Sequence, residues 1–222
     1  FFDLELTGFY DRDEIISISI CDANGNMIMN TLVRPTHTRK WNKTEKIHGI
    51  TPAMTADAPT LEELTPRIKE IFAGADRIIA YGVSTDYSHI KYIYATEEER
   101  RALWAKIRCC ANEFVRYIHE CRPEVEHASL TDAMACLGIE WDGVAHTSIA
   151  DTIGCMKVWG KLFPNYYIET GAADPDPEDG NTARIPGYDA DNDENEDDEE
   201  ESKLDPSERS TLFDIDLYAL AA

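Results

Sequence analysis

Ile16, Ile18 and Ile20 alternate with Ser17 and Ser19, and the chain then reaches Asn24-Gly25 and a second extended run. Alternation with period two sends successive side chains to opposite faces of a strand. Asn-Gly is the strongest short hairpin signal, because both residues accept positive φ. Residues 14–21 and 27–33 are therefore expected to pair antiparallel, with Arg34-Pro35 closing the second strand. The short stretch 1–4 ahead of them completes three antiparallel strands at the start of a sheet.

Further on, the period changes. Leu61, Leu64, Ile68, Ile71 and Phe72 recur at helical spacing over residues 60–72, and Gly74 ends the run. Residues 77–81 are a short buried strand. Helical patterns follow over residues 86–94, 97–121, 129–137 and 147–162. Three strands, then helices alternating with short strands, predict a mixed α/β sheet flanked by helices.

The 222 residues suffice for one α/β domain with an appendage. No apolar run reaches the roughly 18 residues of a membrane span, and no signal peptide is visible, so a cytoplasmic protein is expected. Phe1 opens the sequence where a strand normally begins a few residues earlier, so a short preceding piece is expected. Six cysteines without CxxC spacing are expected as buried or free thiols.

A net charge of −22 is unusual for a chain that handles nucleic acid. Its distribution accounts for most of it. From Gly171 onward there are 18 acidic and 3 basic residues, leaving 25 acidic and 18 basic before it. The organisation expected is a domain over residues 1–168, an acidic disordered stretch over 169–210, and an apolar segment over 211–222. The acidic stretch has too few apolar residues to offset the entropy of ordering.

Asp3 and Glu5 stand two apart on a presumed strand and emerge on one face, while Phe2 and Leu4 point into the core. Adjacent like charges are costly unless a cation lies between them or the face is solvated. Asp86 follows a buried strand and opens a helix, either as an N-cap or at the strand end where α/β sites lie. His146 and Asp151 are five apart and would diverge on one helix. They converge if His146 sits in a loop and the helix starts near Thr147.

Phe2-Asp3-Leu4-Glu5-Leu6-Thr7-Gly8 resembles the first motif (F-D-x-E-T-T-G) of the DnaQ-like, or DEDDh, exonucleases. Residues 78–86 resemble their second motif, ending on Asp86, and residues 146–151 their third (H-x4-D). Ile47-His48-Gly49-Ile50-Thr51 and Leu137-Gly138-Ile139 are secondary echoes. The resemblance covers about residues 1–165. Leu6 stands where a threonine is usual, Tyr81-Gly82 replaces a common His-Asn pair, and Thr85 replaces an aromatic.

The resemblance implies a ribonuclease-H-like fold and a 3′→5′ exonuclease releasing nucleoside 5′-monophosphates. It implies that Asp3, Glu5, Asp86 and Asp151 hold two Mg²⁺ ions, with Mn²⁺ a substitute for such oxygen ligands. His146 is then the general base, since imidazole is the side chain that titrates near neutrality.

Substrate contacts are expected from Leu6, Thr7, Gly8 and His48, and from the basic run that includes Arg39, Lys40, Trp41 and Lys43. Charge neutralisation plus stacking is what a single strand requires, although a solvated lysine-rich loop has the same composition. The partner is a DNA or RNA 3′ end, with DNA favoured. The different reading is a catalytically silent DnaQ-like binding or regulatory module. The acidic stretch reads as a solubiliser, a competitor for the basic run, or a tether for a protein-binding segment at 211–222. There Leu212-Phe213 resembles sliding-clamp peptides without their usual glutamine.

If the acidic stretch competes with substrate, deletion after Tyr167 lowers the apparent KM for single strands at low salt and leaves kcat unchanged. The difference shrinks as salt rises through about 0.15 M, where the screening length is about 8 Å. Equal KM values for both proteins at low salt would exclude competition.

Overall fold

The computed structural model describes residues 1–164. The acidic stretch 169–210 and the segment 211–222 lie outside the described residues. Strands β1 (Phe2–Leu6), β2 (Ile15–Cys21) and β3 (Met27–Leu32) form an antiparallel sheet in sequence order. The β2–β3 turn places Gly25 at φ 81°, and the Asp22 carboxylate accepts the amides of Asn24 (2.8 Å) and Asn26 (2.9 Å). Gly25 alone of the Asn-Gly pair takes positive φ; Asn24 does not, and the Asp22 side chain caps the turn instead.

Helices α1 (Asn42–His48), α2 (Pro52–Thr55) and α3 (Leu61–Gly74) precede strand β4 (Ile78–Ala80). Next come α4 (Val83–Ile90), α5 (Glu97–Lys106), strand β5 (Ile107–Cys109), α6 (Cys110–Ile118), α7 (Leu130–Cys136) and α8 (Ser148–Leu162). β4 and β5 pair parallel, and β4 lies beside β1. The architecture is mixed α/β, three antiparallel strands followed by parallel ones. Reciprocal capping boxes with an acidic partner start α3, α5 and α7: Thr60 with Glu63, Thr96 with Glu99, and Ser129 with Asp132.

Phe2, Leu4, Ile18 and Ile20 turn to one face of the sheet, where Ile68 and Phe72 of α3 and Tyr87 and Ile90 of α4 join them. The opposite face of β1 and β2 lies under α8. Ser17 and Ser19 are therefore buried, although alternation with isoleucine alone would leave such residues facing water.

Three expectations are corrected. Residues 97–121 are not one helix: β5 interrupts them. Ile107 and Cys109 are buried beside Ile78 and Ala80, and pairing with β4 overrides the helical period. The Lys106 ammonium fixes the break by donating to the carbonyls of Phe72, Ala73 and Ala75 at 3.2, 2.9 and 2.9 Å. Asp86 does not open its helix; it lies one turn inside α4 and is buried. Trp41 is 4% exposed, packed with Ile16 and Ile50, and its indole N–H donates to the Ile50 carbonyl at 2.7 Å. Its ring belongs to the interior and is not offered to a base.

Trp41→Ala should therefore cost about 3–5 kcal/mol of stability in chemical denaturation, as buried aromatic truncations do. An unchanged denaturation midpoint with weakened single-strand binding would return Trp41 to a stacking role.

Candidate active site

Asp3 and Glu5 leave β1 on the face that α8 covers, because they sit at alternate positions between the buried Phe2, Leu4 and Leu6. α8 begins at Ser148 after the N-cap Thr147, whose hydroxyl accepts the Ala150 amide. Asp151 thus falls in the first turn, where the helix dipole favours negative charge. One carboxylate oxygen from each of Asp3, Glu5 and Asp151 lies within 4.8 Å of the others. Asp86 is outside that trio but close enough to repel Asp3 and Glu5, and the Leu4 backbone partly offsets the upward push on its own carboxyl.

His146 precedes α8 in a left-handed conformation (φ 62°), exposed, with its amide donating to Asp151 Oδ1 at 3.1 Å. Gly143, at φ 109°, opens the same turn. A non-glycine residue at positive φ is uncommon, and its appearance beside a carboxylate cluster is the kind of strain found at functional sites.

The electrostatics are those of an anionic centre without a counter-charge. Burial, then Asp151 and Asp86, push Glu5 up to about 8. Asp3 is raised well above the usual carboxylate range by burial and then by Asp86, Glu5 and Asp151. Asp86 is raised by burial and Asp151, while Asp151 is raised by burial and partly relieved by His146. Four carboxylates of this kind suit a hard divalent cation with oxygen ligands. Cys155, one turn after Asp151 and itself buried, also raises Asp3; nothing in its sequence spacing marked it.

The loop after Glu5 is braced from two sides. The Asp13 carboxylate accepts the Thr7 hydroxyl (3.3 Å) and the Tyr10 amide (2.8 Å). It lies so close to Gly8 that a Cβ there would be 2.3 Å from Asp13 Oδ2. The buried ring of His89, one turn after Asp86, holds nitrogens 3.1 Å from the Tyr10 carbonyl and 2.8 Å from that of Thr85. Across the mouth, Glu14 accepts the amides of Thr36, His37 and Thr38, the shortest at 2.6 Å. These bonds bring its carboxyl down to about 2 despite the opposing effect of burial. Sequence reading passed over Asp13, Glu14 and His89, since a loop acid or a helix histidine carries no signal alone.

The residues expected to touch substrate divide in two. Leu6 and Thr7 are buried, Leu6 in the main core and Thr7 in the loop bracing, so their side chains are corrected to structural roles alongside Trp41. Arg39, Lys40 and Lys43 are exposed, and Gly8 is half-buried. His48 is buried; its Nδ1 accepts the Ile50 amide at 3.0 Å, while Nε2 has no hydrogen-bond partner among the described residues. Burial lowers its pKa, opposed in part by the Leu6 backbone and Glu45. Among the described residues no helix is long and apolar enough to cross a membrane, and all six cysteines are free.

Comparisons place this geometry among known proteins. The RNase_T exonuclease family model matches residues 1–159. The chain is 28% identical over 177 residues to DNA polymerase III subunit epsilon of Aquifex aeolicus (strain VF5), covering 78% of this chain and 83% of that protein. It is 30% identical over 182 residues to an uncharacterized exonuclease, CP81, of Escherichia phage 186, covering 72% and 87%. Among solved structures, exonuclease I superposes with a TM-score of 0.58 at 20% identity over 73% of this chain. The chain spans only 39% of that protein's length. Exonuclease X, in complex with 5′ overhanging duplex DNA, superposes at 0.54 with 18% identity, over 74% of this chain and 90% of that one. At these identities the structural likeness establishes the fold.

The raised carboxyls set a pH dependence for the metal-free protein. Folded-state values above the unfolded ones mean that the folded protein binds more protons, so stability falls as pH rises from about 4 towards 8. In chelator, the melting temperature should be lower at pH 8 than at pH 5, and Asp3→Asn should raise it at pH 8. A wild-type melting temperature that climbs from pH 5 to pH 8 in chelator would contradict the repulsion described.

Proposed function

The chain belongs to the RNase_T exonuclease family, and from that premise we propose that it removes nucleotides from the 3′ end of single-stranded DNA, using Mg²⁺ and a histidine base. The observation that carries this reading is the trio of carboxylate oxygens within 4.8 Å, with buried Asp86 adding a fourth negative group. Asp3, Glu5 and Asp151, with Asp86 beside them, would hold the ions. Two such ions, when bound, supply activation of a water and stabilisation of the leaving 3′ oxygen. A cytoplasmic location and a domain spanning residues 1–168 belong to the same proposal.

The chain's own residues do the rest. His146 is exposed at the rim, and its imidazole takes the proton of the attacking water. Its amide holds Asp151 by one oxygen and so ties the histidine turn to the centre. His48 Nε2 carries the ring proton, because Nδ1 is used as an acceptor. That nitrogen is buried beside the Leu6 backbone, so His48 would shape the pocket of the terminal nucleotide from beneath. Gly8 leaves room for the Asp13 carboxylate that braces the loop, and Arg39, Lys40 and Lys43 neutralise phosphates further from the cut. The DNA in the exonuclease X complex supports DNA over RNA as the substrate.

A 5′-labelled single strand should yield a ladder that shortens from its 3′ end in Mg²⁺ and stays intact in chelator. Asp3→Asn and Glu5→Gln should abolish the ladder with the fold retained. His146→Ala should slow turnover by about 10²–10⁴-fold while metal binding persists. Cleavage in excess chelator would refute the metal scheme, and wild-type turnover in His146→Ala near neutral pH would remove the base.

A further inference from the structure

A line of hydroxyls lies between the sheet and α8, and the catalytic scheme leaves it unused. Across the β1–β2 ladder Asp3 pairs with Ser19 and Glu5 with Ser17. Directly opposed residues share a face, so the two serines stand on the side of the sheet that bears the two carboxylates. Both are buried, and so is Ser148, the first residue of α8 and three before Asp151. Ser148 Oγ lies 2.7 Å from Ser17 Oγ and 2.8 Å from Ser19 Oγ. Ser19 Oγ donates to Asn30 Oδ1 on β3 at 3.0 Å.

Counting protons fixes the direction. A hydroxyl has one proton to give and lone pairs to accept with. Ser19 gives its proton to Asn30, so between Ser19 and Ser148 the donor is Ser148. That uses the Ser148 proton, so between Ser148 and Ser17 the donor is Ser17. The chain runs Ser17 to Ser148 to Ser19 to Asn30, each proton used once, and bonds aligned in one direction reinforce one another. Thr152, one turn further along α8, adds a hydroxyl bond to the Ser19 carbonyl at 3.4 Å.

We propose that Ser148, gripped by Ser17 and Ser19, is a positioning residue that sets α8 in register on the sheet and so fixes the reach of Asp151 to Asp3 and Glu5. The proposal rests on the metal-centre reading above. Mutual repulsion of the carboxylates pushes the first turn of α8 away from β1. Apolar packing resists this poorly, since it is non-directional and tolerates sliding, whereas a hydroxyl contact weakens steeply beyond a few tenths of an ångström. Small side chains at positions 17, 19 and 148 let helix and sheet approach closely. Alanines would leave the same room, so what serine adds at these positions is register.

The test is Mn²⁺ binding by calorimetry without nucleic acid, beside melting temperatures in chelator. Ser148→Ala should weaken Mn²⁺ binding by roughly 10-fold, as loss of groups that orient metal ligands does. Ser17→Ala combined with Ser19→Ala should match it, and adding Ser148→Ala to that pair should change nothing further, because the same bonds are already gone. Ser17→Ala alone should have a smaller effect, since Ser148 keeps Ser19 and Asn30. A lower melting temperature with unchanged Mn²⁺ affinity in Ser148→Ala, while Asp151→Asn loses binding, would overturn the positioning role and leave the metal centre intact. Unchanged affinity in Asp151→Asn would instead remove the metal-centre reading, and the proposal with it.

Discussion

Asp3, Glu5, Asp86 and Asp151 are held closer than their charges favour, and much of the surrounding structure answers to that constraint. Two like charges about 4 Å apart at an effective dielectric of 20 repel by about 4 kcal/mol, and burial adds to the penalty at each of the four. No side chain could hold such a group together by itself. The backbone does much of it: β1 is fixed by its ladder to β2, and Asp151 accepts the His146 amide. Asp3 and Glu5 share β1, Asp86 stands on α4 and Asp151 on α8; β1 and α4 meet through one apolar core, while α8 packs on the opposite face of the sheet.

Sequence made the ends of this arrangement readable but not its middle. The isoleucine alternation and Asn24-Gly25 were legible because strand period and turn chemistry are local. So was the pairing of Asp3 with Glu5 on one strand face. The break at residues 107–109 was not, because the residues around it keep helical spacing and only the edge of β4 makes a strand preferable. Ser17 and Ser19 read as polar positions on a half-solvated strand; their burial depends on α8, more than a hundred residues away. Trp41 among lysines looked like a stacking platform, yet the same ring fills a space beside Ile16 and Ile50.

The bracing around the entrance was invisible for a related reason. Asp13, His89 and Glu14 act on backbone groups, which every residue has, so no partner residue type announces them. The result is a loop region whose shape is set by main-chain bonds.

Glu14 separates two responses to acid. Its carboxyl, held near 2, stays ionised far below the pH at which the raised acids of the centre take up protons. Its contribution to the fold is fully present above the ordinary glutamate value and is lost only as pH falls through about 2. As the surroundings acidify, the centre is neutralised first, while the segment from Thr36 to Thr38 remains tethered to the start of β2. In the metal-free molecule, then, acid reaches the chemistry of the centre before it reaches this tether.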